Sequence, residues 1–364
     1  INLSSVFINM VFVPLVSVIV YPLALISFVF PFLNPVFNIL IALTNTLSSL
    51  FTKLGIFINI PKVSILFIFL LYIFILLFKY NKRCILYLLI TILIIKIIPR
   101  FDSNFYAYYL DVGQGDSAIL IYPNKSKVVM LDTGGKLNYS KYEWMISSKK
   151  YNISDNVIKF LKSKGITKIN YLILTHGDYD HIGEAINLVI KFKVEKVIFN
   201  CGSYNDLEKE LIKALDKKNI KYYSCIKELN VDNNKLYFLQ TKEYDNENDN
   251  SNVIYTKMNG YKFMFMADAG IEKEKDILGE YDISDIDVLK VGHHGSKTSS
   301  SRTFIDEINP KYSIISVGKN NRYGHPNKEV LNTLKNSKIY RTDQNGSIMF
   351  KIKNNKLKIE TCNP

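Results

Sequence analysis

Within six residues, His176–His181, the chain places four potential metal donors: His176, Asp178, Asp180 and His181, in the segment THGDYDHIG. The chain has five histidines, and the other three also fall in short motifs. His293 and His294 lie in VGHHGSKTSS, and His325 lies in RYGHPN. Neutral imidazole is the commonest metal ligand and the side chain that titrates nearest physiological pH. Burying unpaired charges costs several kcal/mol, so such a density of His and Asp is not ordinary core. The pattern points to a bound metal ion and hydrolytic chemistry.

Imidazole and carboxylate donors together suit zinc, manganese or iron. A second ion needs a bridging ligand. Asp268 follows five apolar residues, Phe263–Ala267, and precedes Ala269 and Gly270. It is the expected bridge, the alternative being an N-cap for a helix near Ile271–Leu278. A bound metal lowers the pKa of its water to about 7, and two metals about 4 Å apart clamp a phosphoryl oxygen and its leaving group. The expected cofactor is therefore two divalent ions, zinc or manganese. Weaker candidates surround these residues. Gln114 and Asp116 lie in a glycine-rich turn that reads first as a plain β-turn and could touch substrate. Lys290, on a strand beside the His pair, could neutralise phosphate or, as strand lysines usually do, face solvent, and Ser296, Thr298 and Ser299–Ser301 could donate hydrogen bonds to phosphate or cap the next helix. Trp144 and the tyrosines could stack on single-stranded bases, although core packing accounts for most of them.

These residues need a scaffold, and the sequence supplies one. Tyr106–Val112, Ser117–Tyr122 and Lys127–Asp132 read as strands separated by glycine turns. Val157–Gly165 reads as a helix with Ser154 as its cap, and Asp206–Lys218 as an amphipathic helix. Strand Tyr171–Leu174 runs into the His motif, and Asp287–Gly292 delivers the His pair. Asn259-Gly260 marks a hairpin. Tyr244–Asn252, rich in Asn and Asp, reads as a solvated loop. Asp132, His176, Asp268 and His293 all follow strand ends, so loops on one sheet edge would bring them together.

The first hundred residues differ sharply from the rest. They contain no Asp or Glu and seven basic residues, leaving 39 basic and 33 acidic residues, a net of +6, for the remainder. Val6–Phe30 is long enough to span a bilayer, Leu33–Phe51 is apolar with scattered Asn and Thr, and Val63–Phe78 and Cys84–Ile98 form a hairpin around Lys79, Lys82 and Arg83. Pro14, Pro22 and Pro31 predict a kinked or broken helix. A signal peptide would give one short apolar run rather than several. Basic residues in a short turn mark the cytoplasmic side, which puts residue 101 onward outside it. The chain begins at Ile1 and reads as the end of a longer membrane protein. The positive remainder suits a polyanion or an anionic membrane surface. Cys84, Cys201, Cys225 and Cys362 show no CxxC spacing; free thiols are expected, with a Cys201–Cys225 bond the alternative in an oxidising space.

The motifs DVGQGDS (Asp111–Ser117), LDTGG (Leu131–Gly135), THGDYDHIG (Thr175–Gly183), MADA (Met266–Ala269), LKVGHHGSKTSSS (Leu289–Ser301) and YGHPN (Tyr323–Asn327) occur in the order found in metallo-β-lactamase-fold hydrolases. Together, DVGQGDS, HHGS and YGHP resemble the C-terminal domain of ComEC-type competence proteins, which import transforming DNA. The resemblance covers nearly all of residues 105–360. The preceding apolar segment looks like the end of the membrane domain of the same proteins. The resemblance implies an α/β fold, an αββα sandwich preceded by transmembrane helices, with a membrane segment at 1–100 and a hydrolase domain at 101–364. It implies His176, Asp178, Asp180, His181 and Asp268 as metal ligands, with either His293 or His294, preferably His294, completing the second site. Asp180, His293 and His325 are implied in catalysis, and Asp132 as a loop-organising acid. Where the superfamily pattern H-x-H-x-D-H has a second His, this chain has Asp178, an oxygen donor that favours manganese. The implied activity is cleavage of DNA phosphodiesters, degrading the strand that is not imported, with DNA, the membrane and other competence proteins as partners. The alternatives are an extracytoplasmic hydrolase of another phosphoester, such as a nucleotide or phosphocholine, and a non-catalytic channel component that grips DNA.

Overall fold

The computed structural model describes residues 5–53, 61–135 and 152–362. Trp144 lies outside the described residues. By compactness the chain divides into Ile1–Ile73 and Phe74–Pro364. The helix Cys84–Ile97 therefore groups with the second unit, although its composition matches the first hundred residues. It continues through the turn Ile98–Phe101, after which Asn124 N–H donates to Asp102 O at 2.6 Å.

In the first unit, α-helical turns Ser5–Pro14 pass into a π-helical stretch, Leu15–Val20, before Tyr21–Val29. Pro14, which lacks an N–H, stands at the junction, so the expected irregularity takes the form of a widened turn. Pro31 opens a 3-10 turn before the helix Asn34–Lys53. The hydroxyls of Ser17, Thr44 and Thr46 donate to carbonyls four residues back, so these polar groups are satisfied within their own helices. Among the described residues, three helices are long and apolar enough to cross a membrane: Ile8–Val29, Pro31–Phe51 and Cys84–Phe101. The helix Ile65–Leu77, at 13 residues, is shorter than a full span.

The second unit holds fifteen strands among the described residues. One sheet contains β1 (Phe105–Tyr109), β2 (Ala118–Ile121), β3 (Val128–Leu131), β4 (Lys168–Ile173), β5 (Lys193–Ile198) and β6 (Lys221–Tyr223). The other contains β7 (Glu228–Val231), β8 (Asn234–Phe238), β9 (Ile254–Met258), β10 (Tyr261–Phe265), β11 (Val288–Lys290), β12 (Tyr312–Ile315) and β13 (Lys338–Arg341). The last two strands, β14 (Ile348–Lys353) and β15 (Lys356–Thr361), return to the first sheet. The orders are β15-β14-β1-β2-β3-β4-β5-β6 and β13-β12-β11-β10-β9-β8-β7. β14 pairs antiparallel with β1, Phe105 facing Ile352.

Three apolar clusters make this an αββα sandwich. Phe105, Ala107 and Tyr109 of β1 face a cluster shared with Phe263 and Phe265 of β10, between the sheets. Tyr108 of β1 faces the opposite cluster, with Leu161, Leu188 and Leu211 of the helices outside the first sheet. Met264 and Met266 likewise face the helices outside the second sheet, with Ile277 and Phe304. A strand buried on both faces reads as a nearly continuous apolar run, and period-two alternation sorts its side chains between two cores.

Several local expectations change. The first outer helix is Ile153–Ser163 and follows Asn152; Ser154 lies inside it and donates its hydroxyl to Glu184. The segment 244–252 is not a solvated loop. Asp249, Ser251 and Asn252 are buried, and Asn252 binds Leu174 O and Thr175 O. Its Asn and Asp side chains serve neighbouring backbone groups instead of water, a use that composition alone does not reveal. Cys201 and Cys225 are joined by a disulfide across 24 residues, in place of the free thiols expected. They lie on the segments that follow β5 and β6, two paired parallel strands, which brings their Cα atoms to 4.7 Å.

Candidate active site

β3 and β4 are parallel, β1 runs the same way, and β10, β11 and β12 are mutually parallel. The loops after these strands carry Asp111–Ser117, Asp132, the His176 motif, Asp268, the His pair and His325. All but His325 converge on one acidic centre through direct contacts, Asp116 through its N–H to Asp180 O and through His294; His325 reaches it through a ring contact to His293.

On the first sheet the anchor is Asp132, with φ +54. Its Oδ1 accepts from Thr175 N at 2.8 Å, and its Oδ2 accepts from Thr175 Oγ1 at 2.7 Å. His181 Nδ1–H donates to the same Oδ2 at 2.8 Å. Because the Thr175 hydroxyl proton goes to Asp132, Thr175 Oγ1 accepts from His176 Nδ1–H at 3.1 Å. On the second sheet, His294 Nδ1–H donates to Ser316 O at 2.9 Å. In all three buried rings the Nδ1 proton is thus committed outward, which turns Nε2 inward.

Those inward atoms meet carboxylates. His181 Nε2 lies 3.2 Å from Asp268 Oδ1, and His294 Nε2 lies 3.2 Å from Asp180 Oδ2 and 3.6 Å from Asp268 Oδ2. His293, more exposed, sits 3.7 Å from Asp268 Oδ2, with Nδ1 3.0 Å from Thr298 Oγ1. Asp178 stands at the rim, its Oδ2 3.6 Å from His176 Nε2. Asp268 is not a helix cap; the helix Ile271–Glu280 is preceded by Gly270. The turn Gly292–Gly295 puts both His293 and His294 in the left-handed region, at φ +46 and +53. Non-glycine residues held there cost of order 1–3 kcal/mol each and gather at functional sites.

The donor set fits a divalent cation. His176 Nε2, His181 Nε2, His294 Nε2 and Asp268 Oδ1 are buried without a hydrogen-bond partner. His176, His181 and Asp268 offer three donor atoms within 4.8 Å of one another, as do Asp180, His181 and His294. Charge tells the same story. Burial opposes protonation of His181, but Asp268 and Asp132 outweigh it and hold its pKa well above the ordinary value. Burial also opposes His294, which Asp268 and Asp116 raise to about 10. Asp268, despite its burial, is driven well below the carboxylate range by His294 and His181. The acidic centre requires positive charge, and a cation there would displace these protons.

Four residues expected to meet substrate are placed otherwise. Lys290 and Asp116 are buried and paired with each other at 2.5 Å, and Lys290 Nζ also donates to Val291 O. Asp116 Oδ1 reaches His294 Nδ1 at 3.4 Å, so the pair stands behind the ring. The expectation failed because the strand end bearing Lys290 points inward. Ser296 is buried, and its Oγ accepts from Thr298 N and Oγ1. Gln114 Oε1 accepts from Gly318 N, tying the first glycine-rich turn to the loop before His325. Gly115 is required by packing: a Cβ there would lie 2.2 Å from Asp180 O. His325 borders the site, its ring 6.0 Å from that of His293. Burial lowers the pKa of His293; burial, then His294 and His293, lowers that of His325.

Sequence reasoning missed Thr175, whose hydroxyl links Asp132 to His176, and Ser316, whose carbonyl orients His294. It also missed Glu274, buried and accepting from both Ser300 N and Ser301 N beside the His-pair loop. Thr175 is adjacent to a histidine and could have been suspected; the other two carry no local signal.

The model of the Metallo-beta-lactamase superfamily matches residues 110–319, more than half of the chain and all but one of the candidate donors and orienting groups named above, His325 lying beyond it. The chain belongs to that superfamily. Its fold is the metallo-beta-lactamase fold. ComE operon protein 3 of Bacillus subtilis (strain 168) is 33% identical over 87% of this chain and 43% of its own length. Competence protein ComA of Neisseria gonorrhoeae is 27% identical over 66% of this chain and 31% of its own length. The resemblance to ComEC-type competence proteins, read from the motifs, is borne out by these relatives. The chain spans less than half the length of each. Among solved structures of the superfamily, the metallo-beta-lactamase fold protein YhfI from Bacillus subtilis aligns with a TM-score of 0.41 at 9% identity, covering 65% of this chain and 96% of that one.

Proposed function

We propose that this chain is the membrane-attached phosphodiesterase part of a DNA-uptake protein, cleaving the strand that is not imported. The observation that carries the reading is the ring of inward Nε2 atoms around Asp268, fixed by Asp132, Thr175 and Ser316. His176, Asp178, Asp180, His181, Asp268 and His294 would hold two divalent ions, zinc or manganese. Such ions supply Lewis acidity and an ionised nucleophile near neutral pH. Asp180, partly open to solvent, would serve twice, holding an ion and accepting a proton from the attacking water. The other residues do positional work. His325, at the open side, donates a hydrogen bond to a phosphate oxygen, and His293, its Nδ1–H held by Thr298, lines the same side. Lys290, through Asp116, sets His294.

Residues 101–364 would form the hydrolase domain, facing out of the cytoplasm. Lys79, Lys82 and Arg83 in the turn between two apolar helices favour a cytoplasmic turn. The Cys201–Cys225 disulfide suits an oxidising compartment. Partners would be DNA, the membrane and other competence proteins. The full chain, purified in detergent and loaded with manganese or zinc, should cleave single- or double-stranded DNA and lose that activity with chelator. Cleavage of small phosphoesters but never of DNA would replace this reading with a phosphoesterase; metal-free binding of DNA without cleavage would leave only a gripping role.

A further inference from the structure

Beyond β12 the chain carries Lys319, Asn320, Asn321, Arg322, Tyr323, Gly324 and His325, a tip with two cations and no acid. Tyr323 is 60% exposed, the most exposed large apolar or aromatic residue among the described residues from 102 to 362. Its ring stacks on that of His325, with centroids 5.8 Å apart and planes within 12°. His325 in turn lies 6.0 Å from His293, whose Nε2 is 3.7 Å from Asp268. Three rings thus lead from solvent to the acidic centre.

The tip is held in place. Asn321 Oδ1 accepts from His325 N at 3.0 Å, and Asn321 Nδ2 donates to His325 O at 2.7 Å and to Gly318 O at 3.2 Å. Gly318 N is bound by Gln114. An aromatic ring presented on a fixed loop loses little entropy when a flat partner lands on it. Bases stack on such rings without regard to sequence, and adjacent cations suit the flanking phosphates.

We propose that Tyr323 is a stacking platform for a nucleobase of the substrate strand, placed so that a neighbouring phosphodiester reaches His325, His293 and Asp268. This deepens the nuclease reading and rests on it. The test uses the full chain in detergent at low salt, with chelator present so that binding is read without cleavage. Fluorescence anisotropy compares a single-stranded oligonucleotide with one of equal length whose bases are removed. The parent should favour the base-bearing strand by about tenfold. Tyr323→Ala should abolish that preference and Tyr323→Phe should keep it. Equal binding of both strands by the parent, equal weakening of both by Tyr323→Ala, or loss of preference in Tyr323→Phe overturns the platform. Cleavage is then read separately with manganese. A strand bound through Tyr323 but never cut sinks the nuclease reading and leaves the platform; a strand cut without base preference does the reverse.

Discussion

On the first sheet, one nine-residue segment brings His176, Asp178, Asp180 and His181 together, and one carboxylate just past the neighbouring strand, Asp132, orients His181 directly and His176 through Thr175. On the second sheet, Asp268 and His294 arrive on separate loops. They are steadied by a carbonyl from β12's end, a buried ion pair reaching across from the first sheet, and Glu274 gripping the loop after the His pair. One half is a local motif with a single hydrogen-bonded anchor. The other is assembled by long-range contacts, so its integrity depends on the whole sandwich.

Asp268 faces both halves, lying within 3.7 Å of His181, His293 and His294. Asp268→Ala should cause the largest loss, lowering metal affinity by more than the roughly 10–100-fold typical of an orienting residue. Metal content equal to that of the parent, measured by elemental analysis, would refute the shared role. The long-range half should next betray itself in stability. Lys290→Met strands Asp116 as a buried charge and should cost about 3–5 kcal/mol, while Asp116→Leu with Lys290→Met should recover most of it and still impair metal binding. Denaturation curves decide; an unchanged midpoint in Lys290→Met would mean that the pair contributes little.

The local half should respond differently. Asp132→Asn keeps the volume but offers an amide donor toward His181 Nδ1–H, so metal affinity should fall about 10–100-fold with little change in unfolding. If the midpoint drops as far as in Lys290→Met, the contrast between the halves disappears. The smallest effect concerns Glu274. Burial raises its pKa from 4.5 to about 7, against the hydrogen bonds from Ser301 and Ser300. The folded state therefore binds the proton more tightly than the unfolded chain, and stability contributed here is lost as pH rises from about 4.5 to about 7. Glu274→Gln should flatten that slope. An identical pH profile in parent and variant would remove Glu274 from the account.

The same contrast governs what could be read beforehand. The donors of the first half stand in sequence next to one another, and Asp132 follows a strand just as His176 does, so spacing and strand ends suffice. The apolar strands were legible because burial on both faces leaves continuous runs. Lys290 was misread because a lone lysine on a strand normally faces solvent, and only the sandwich brings Asp116 to it. Ser316 acts through its carbonyl, which any residue could supply. The segment 244–252 was misread because side-chain amides look alike whether they meet water or a buried backbone.

The pairing of β1 with β14 bears on how the molecule is made. β1 is among the first parts of the sandwich to be synthesised, and β14 follows every ligand-bearing loop. One edge of β1, with Phe105, Ala107 and Tyr109 pointing into the inter-sheet core, therefore stays open through most of translation. Long-range strand pairing of this kind is slow, and an open edge recruits other chains. A ribosome that stalls before Ile348 would release a chain that carries every ligand-bearing loop and still exposes an adhesive strand.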